Sequence, residues 1–336
     1  MNPDTSAYFR QKLSQHRDAL LEWLNTDSLH KDFHLGTANT HDVLHIISEL
    51  KKALERIDEG DFGQCIKGDG EVEVERLEVD YTTCVCLAHY SDSQLRALEN
   101  ELELAAKVQR GLLPAHIKEV KSLAIAARSQ PAHIVGGDYY DFFDFQDGTP
   151  GFAIADVMGK GLPASMLMSN LQASLRILGA DYNEPHLLLS RLNELFRYNL
   201  KLIRFISVFL LAIDVGKRTL RYANAGHHPP ALWNAAQKSI TWLNPTGPAI
   251  GLNYQTEYTS EKVSYDSGDL LLMYTDGLVE ARNAGGEEFG DHRLEAYLKE
   301  HHQESPQQLV KGLFETLKSY AGSFNDDITL LVIKAE

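Results

Sequence analysis

Cysteine is scarce in this 336-residue chain, which has three: Cys65, Cys84 and Cys86. So few exclude a disulfide framework and point to a reducing compartment. Positive charge is also short, with 32 basic side chains against 47 acidic ones and a formal net charge of −15. A protein that holds nucleic acid by its phosphates needs a basic face, so no direct nucleic-acid binding is expected. No apolar run approaches the ~20 residues of a membrane span. The longest, Phe205 to Ile213, has the length of a buried strand. The N-terminus, MNPDTSAYFRQKL, carries no apolar signal-peptide core. No internal repeat is evident. Together these absences lead us to expect a cytoplasmic protein with no membrane contact.

What is present is 43% hydrophobic residues, enough for a core and, at this length, about two domains. Residues 6–58 predict two helices interrupted near LGTANTHD. Thr40 or Asn39 would cap the second, running from about Val43 to Ile57 with Leu44, Ile47, Leu50 and Leu54 on one stripe. Cys65, Gly68, Cys86 and His89 then fall at the spacing of a four-ligand zinc ribbon, but one position is a glycine. Asp69 would have to stand in for the fourth ligand, or Cys84 for Cys86. A structural zinc site short of a ligand loses much of its folding energy. The expectation is therefore a vestigial site at Cys65, Cys86 and His89, zinc absent and an apolar mini-core left behind.

Residues 92–113 predict a long helix with Leu95, Leu98, Leu102, Ala105, Gln109 and Leu112 three and four apart. That is an a/d seam with a polar residue, Gln109, at one a position. A homodimer through this linker helix is expected. Pro114 ends it. Beyond residue 120, strand-like runs recur between short Gly/Asp/Asn turns: SLAIAARS, GFAIADV, FISVFLLAID, TLRYANAG, PALWNA, SITWL, DLLLMYTDG and DITLLVIKA. Helices are expected at about 164–178, 185–202 and 306–320. The fold class is α+β, two stacked antiparallel sheets flanked by helices. The domains read as 1–90, a regulatory helical segment; 91–114, the linker; and 115–336.

Asp138, Asp156, Asp276, Asp326 and Asp327 each sit at or beside the end of one of these runs. One such Asp is ordinary turn chemistry. Several in one domain, with Lys160 and Arg282 the main nearby cations, need a different cause. Buried like charges repel, and a divalent cation resolves the conflict. An all-oxygen set with no His or Cys favours Mg²⁺ or Mn²⁺ over zinc. Two such ions would form the kind of centre that clamps both oxygens of a phosphoryl transfer. His227 and His228, in NAGHHPP, read as a turn between strands.

The ordered motifs VGGDYYDFF, ADVMGKGLPASMLMS, NAGHHPPAL, YTDGLVEARNAGGEEFG and NDDITLLVI, together with LELAAKVQRGLLP ahead of them, resemble the SpoIIE/RsbU-like branch of the PPM metal-dependent serine/threonine phosphatases. The resemblance covers about residues 105–336. It implies a two-sheet sandwich with two Mn²⁺ or Mg²⁺ ions in the cleft. Asp156 would bridge them and the Val157 carbonyl would add a ligand. Asp276 and Asp326 would hold one ion, Asp327 ranking below Asp326, and Asp138 would approach the other directly or through water. Asp156 and Asp276 would thus carry catalysis. The implied substrate is a phosphorylated STAS-domain anti-sigma-factor antagonist in a partner-switching pathway. Many relatives outside this branch carry a His two residues after the bridging Asp; here Met158 stands there, which implies a modest intrinsic rate. Lys160 and Arg128 are the candidates for the substrate phosphate.

Residues 40–90 resemble the zinc-finger region of the DksA/TraR family at Arg56, Ile57, Gly60, Phe62, Gly63 and Cys65, and depart from it at Gly68. That resemblance implies a rival reading, a transcription-associated module contacting RNA polymerase. A catalytically inactive phosphatase-fold scaffold is a third.

Overall fold

The structure, a computed structural model, describes residues 3–25, 40–196, 205–253 and 255–336. The chain divides into two compact units with a boundary at Glu101–Leu102.

In the first unit, α1 (Pro3–Asn25) and α2 (Thr40–Glu59) share an apolar core. The face α2 buries is Val43, Ile47, Leu50, Leu54 and Ile57, whereas Leu44, expected on that stripe, is exposed. Most of the break expected near LGTANTHD, with Asn39, lies outside the described residues. A short α3 (Val74–Val79) adds Leu77 to the core. Phe62, Val72, Cys65 and Cys86 are buried too, so the expected apolar mini-core is there. The helix α4 (Asp92–Leu112) contains the unit boundary. Along it Ala106 is buried and Leu98 is exposed.

The second unit has ten strands: β1 (Leu123–Gln130), β2 (Tyr139–Asp144), β3 (Pro150–Val157), β4 (Ile206–Asp214), β5 (Thr219–Ala225), β6 (Ala231–Asn234), β7 (Ser239–Trp242), β8 (Glu261–Ser264), β9 (Leu270–Tyr274) and β10 (Ile328–Ala335). They form two antiparallel sheets, ordered β1-β10-β9-β6-β7 and β2-β3-β4-β5-β8. Side chains alternate across a strand, and the alternation here is clean. Leu123 and Ile125 from β1, Phe152 and Ile154 from β3, Leu271 and Met273 from β9, and Leu331 and Ile333 from β10 meet in one core between the sheets. The opposite face of the first sheet, including Leu272, Leu330 and Val332, is covered by α7 (Gly290–His301) and α8 (Pro306–Ala321). Helices α5 (Gly161–Leu178) and α6 (Pro185–Phe196) pack against β3, β4 and β5. Ser305 and Gln308 form a capping box that starts α8, with Pro306 in its first turn.

The runs expected as strands are strands. The sequence did not mark β2, which carries Asp141 and Asp144, nor β8, a mostly exposed edge. It also passed over α7, whose buried face is only Leu294, Tyr297 and Leu298.

Candidate functional site

The alternation that fills the core also builds the site. Asp156 has the parity of Phe152 and Ile154, so it projects into the cleft where β3 runs out of core. Asp138 has the parity of Tyr140 and precedes β2, and Tyr139 pairs with Ala155, which sets Asp138 beside Asp156. From the other sheet, Thr275 continues the inward series Leu271, Met273, and Asp327 and Thr329 continue that of Leu331 and Ile333. Carboxylates from both sheets therefore meet at one end of the sandwich.

Hydrogen bonds fix them. Thr275 Oγ1 donates to Asp138 Oδ2 at 2.7 Å, crossing from one sheet to the other. Thr275 Oγ1 also accepts the Thr329 N–H at 2.9 Å, and Thr329 Oγ1 bonds Ser129 Oγ. Asp327 Oδ1 accepts the Ala132 N–H at 2.8 Å and Oδ2 accepts the Gly137 N–H at 2.7 Å. Its carboxylate thus staples the loop that leads into Asp138. Asp276 opens a tight turn directly after β9, taking the N–H groups of Val279 and Glu280 on its carbonyl. Two glycines permit the close approach. A Cβ on Gly277 would lie 2.1 Å from the Asp327 carbonyl oxygen, and one on Gly137 would lie 2.7 Å from that of Val157.

The electrostatics are those of charges forced together. Asp138 is held well above the usual carboxylate range, by burial first and then by Asp156 and Asp327. Asp156 is pushed up to about 8, by burial and then by Asp276, Asp326, Asp327 and Glu280. Asp276 is raised by burial and Asp326, and Asp327 by burial, which its backbone N–H donors oppose. Among the described residues the ion pair reaching this cluster is Lys160 with Asp326, at 3.0 Å. Arg282, expected to help, pairs with Glu288 instead.

This is a donor set that fits a hard divalent cation: all oxygen, mutually repelling, and short of counter-charge. Burial and the neighbouring carboxylates favour the protonated form of Asp156, and a bound ion would displace that proton. Among the described residues, no three of these carboxylates bring their oxygens all within 4.8 Å of one another. Such spacing suits ions that keep water in their shells, as Mg²⁺ does.

Of the two phosphate candidates, Lys160 is at the site, its ammonium also donating to the Asn325 carbonyl at 2.7 Å. Arg128 is not, which corrects the sequence reading. It shares parity with Ala126, whose side faces the helices, and its guanidinium lies 4.3 Å from the centre of the Phe314 ring while bonding Gln130. Arg128→Ala is therefore expected to leave KM unchanged and to cost about 0.5–1 kcal/mol of stability, checked by steady-state kinetics beside urea unfolding.

Four residues were missed. Glu280 shares the field of Asp276 and Asp326 and is raised by burial and by them. Thr275 was hidden in YTDG, although a polar residue at an inward position was its signal. His227 lies in the turn between β5 and β6, as expected, but its side chain has a role the turn did not suggest. It is buried, with Nδ1 2.8 Å from Ser207 Oγ on β4 and Nε2 3.2 Å from the Tyr274 carbonyl on β9. A carbonyl only accepts, so Nε2 carries the proton and Nδ1 takes the Ser207 hydroxyl. Burial lowers its pKa to about 3, and the neutral ring ties the two sheets beside Asp156. The fourth is Gln109 in a role the seam did not suggest. Gln109 Nε2 donates to the Gly136 carbonyl at 2.6 Å, and Gln109 Oε1 accepts the Gly136 N–H at 3.1 Å. The same loop carries Asp138. A cavity of about 460 Å³ opens beside it, lined by Glu103, Gln109, Ile134, Asp138 and Asp327 among others.

Comparison with known proteins matches the family model of stage II sporulation protein E (SpoIIE) to residues 146–336. Phosphoserine phosphatase RsbU of Bacillus subtilis (strain 168) is 30% identical over 254 residues, spanning 74% of this chain and 75% of RsbU. Among solved structures, the SiaA-PP2C domain of Pseudomonas aeruginosa superposes with a TM-score of 0.63 at 22% identity, covering 73% of this chain and all of that one. The RsbU and RsbW domains of a Mycobacterium tuberculosis protein superpose with a TM-score of 0.57 at 24% identity, covering 64% of this chain and 60% of theirs. The sandwich with its flanking helices is thus the PP2C fold. The resemblance of residues 40–90 to the DksA/TraR zinc finger finds no support in these comparisons.

Proposed function

The chain belongs to the SpoIIE phosphatase family, and from that premise we propose that it is a metal-dependent protein phosphatase acting on phosphoserine or phosphothreonine. The observation that carries this reading is the convergence of strand-end carboxylates from both sheets, raised by burial and then by mutual repulsion, and short of cations. Asp156, Asp276 and Asp326, with the Val157 carbonyl, would hold two Mn²⁺ or Mg²⁺ ions, and Asp138 would lie against one of them. When bound, such ions polarise the phosphoryl oxygens and supply a nucleophilic water near neutral pH.

The chain's own groups do the rest. Thr275 and Thr329 orient Asp138. Asp327 holds the loop before it, acting as a staple rather than a ligand. Lys160 keeps positive charge at the mouth of the cluster, where a phosphate dianion would arrive. Met158, half-exposed beside Asp156, offers no proton to the leaving seryl oxygen, in keeping with a modest basal rate.

The substrate is best read as a phosphorylated STAS-domain protein of a partner-switching pathway, and the setting as cytoplasmic. In support, RsbU is named a phosphoserine phosphatase, and among the described residues no helix is long and apolar enough to cross a membrane. Control by the N-terminal region would pass along α4, a dimer seam at one end and the Gln109–Gly136 pair at the other. The contact directs this coupling at the Gly136 loop.

The test is release of inorganic phosphate from a serine-phosphorylated STAS-domain protein by the full chain, with and without Mn²⁺. Turnover that needs the metal, and little turnover on a phosphotyrosine peptide, is the expected result. Metal-independent turnover would refute the reading.

A further inference from the structure

A second cluster of metal-ligand atoms lies in the first unit, apart from the carboxylates. Cys65 Sγ and Cys86 Sγ lie 3.4 and 3.2 Å from His89 Nδ1. Among the described residues this is the set of three whose ligand atoms all fall within 4.8 Å of one another. Both sulfurs are buried free cysteines, while His89 is exposed.

The surroundings of Cys65 are built for a thiolate, whereas burial and the neighbouring Cys65 sulfur hold Cys86 above the usual thiol range. Cys65 and His89 belong to two short turns, Cys65–Gly68 and Cys86–His89. The backbone joins them: the Ile66 N–H donates to the Cys84 carbonyl at 2.8 Å. The Cys65 sulfur accepts the Cys86 N–H at 3.3 Å and lies against the N–H groups of Lys67 and Gly68. Converging N–H donors stabilise a charged sulfur rather than a neutral one. Gly68 has a part as well. A Cβ there would come within 2.8 Å of His89 Nε2, so the missing side chain is what lets the imidazole lie over the turn. The glycine that breaks the four-ligand spacing makes room for the third ligand.

We propose that Cys65, Cys86 and His89 bind one Zn²⁺ ion through two thiolates and an imidazole, with the fourth position open to water. Two thiolates and one nitrogen suit this borderline-soft ion. Binding releases the two thiol protons. Closed structural sites supply four protein ligands, whereas an open position permits exchange. The ion would cross-link the 65–68 and 86–89 turns in an exchangeable way, with His89 on the solvent side.

The test uses the full chain, purified under reductant and stripped of metal, titrated with Co²⁺ as a spectroscopic stand-in. Thiolate-to-cobalt charge-transfer absorption should grow to about one ion per chain and vanish on adding Zn²⁺. The carboxylate site has no sulfur and cannot give this band. Cys65→Ser and Cys86→Ser should abolish it. His89→Ala alters an exposed side chain, so it should fold, and it should weaken Co²⁺ binding by at least about tenfold. Cys84→Ser should leave the titration unchanged. The proposal is overturned if the reduced wild-type chain gives no such band, if the band survives Cys65→Ser, or if His89→Ala binds as the wild type does.

Discussion

Asp276→Asn leaves a folded chain whose metal-dependent phosphoserine hydrolysis falls by on the order of a thousandfold. Asn keeps the shape of the side chain and the tight turn after β9, because that turn is made by the Asp276 carbonyl. What it removes is one negative oxygen from a cleft that Asp156 and Asp326 also face. Metal assistance in such centres is worth several kcal/mol of transition-state stabilisation, and each 1.36 kcal/mol is about tenfold in rate. In metal-free buffer the same change should raise the unfolding midpoint slightly, since it relieves repulsion among raised carboxylates. Rate and stability moving in opposite directions marks a functional ligand; a structural aspartate would lose both. Phosphate release and thermal unfolding in chelator, on the same preparations, check this.

The neighbouring aspartates separate in the same way. Asp327 is buried and both its oxygens are spent on backbone N–H groups, of Ala132 and Gly137. Asp327→Ala strands two donors, each costing about 1–3 kcal/mol when left unpaired, so a loss of about 2–6 kcal/mol is expected. Activity falls with it as the loop carrying Asp138 loosens. Asp326 is half-exposed and pairs with the half-exposed Lys160. A pair open to water contributes little, so Asp326→Ala should leave stability within about 0.5 kcal/mol. Its activity should drop by a factor comparable to that of Asp276→Asn. Urea unfolding of both variants, beside their phosphate release, distinguishes a staple from a ligand.

The sequence carried much of the site because the strands alternate. A run such as Phe152–Ile154–Asp156 tells both that a strand is buried and that its last inward residue is a carboxylate. It also held the answer for Arg128, whose parity with Ala126 turns it to the helices. The Glu280 role depends on the turn after β9, which folds the chain back on the cluster. Gln109 was legible as a polar residue in an apolar seam, but its partner, Gly136, is 27 residues away. His227 was legible as a turn residue and is one; its burial, between Ser207 of one sheet and Tyr274 of the other, was not. At Cys65, Cys86 and His89 the spacing was visible and the glycine argued against a site. Only the backbone shows that the glycine is where the imidazole lies.

Strand-end carboxylates of the two sheets are expected to hold divalent ions. Electron paramagnetic resonance of Mn²⁺ titrated into the metal-free chain tests it most directly. The free-ion signal should be taken up by two ions per chain, and Asp156→Asn, at the centre of the cluster, should lose this uptake. A wild-type chain that leaves all Mn²⁺ free, or an Asp156→Asn variant that binds as the wild type does, would contradict it.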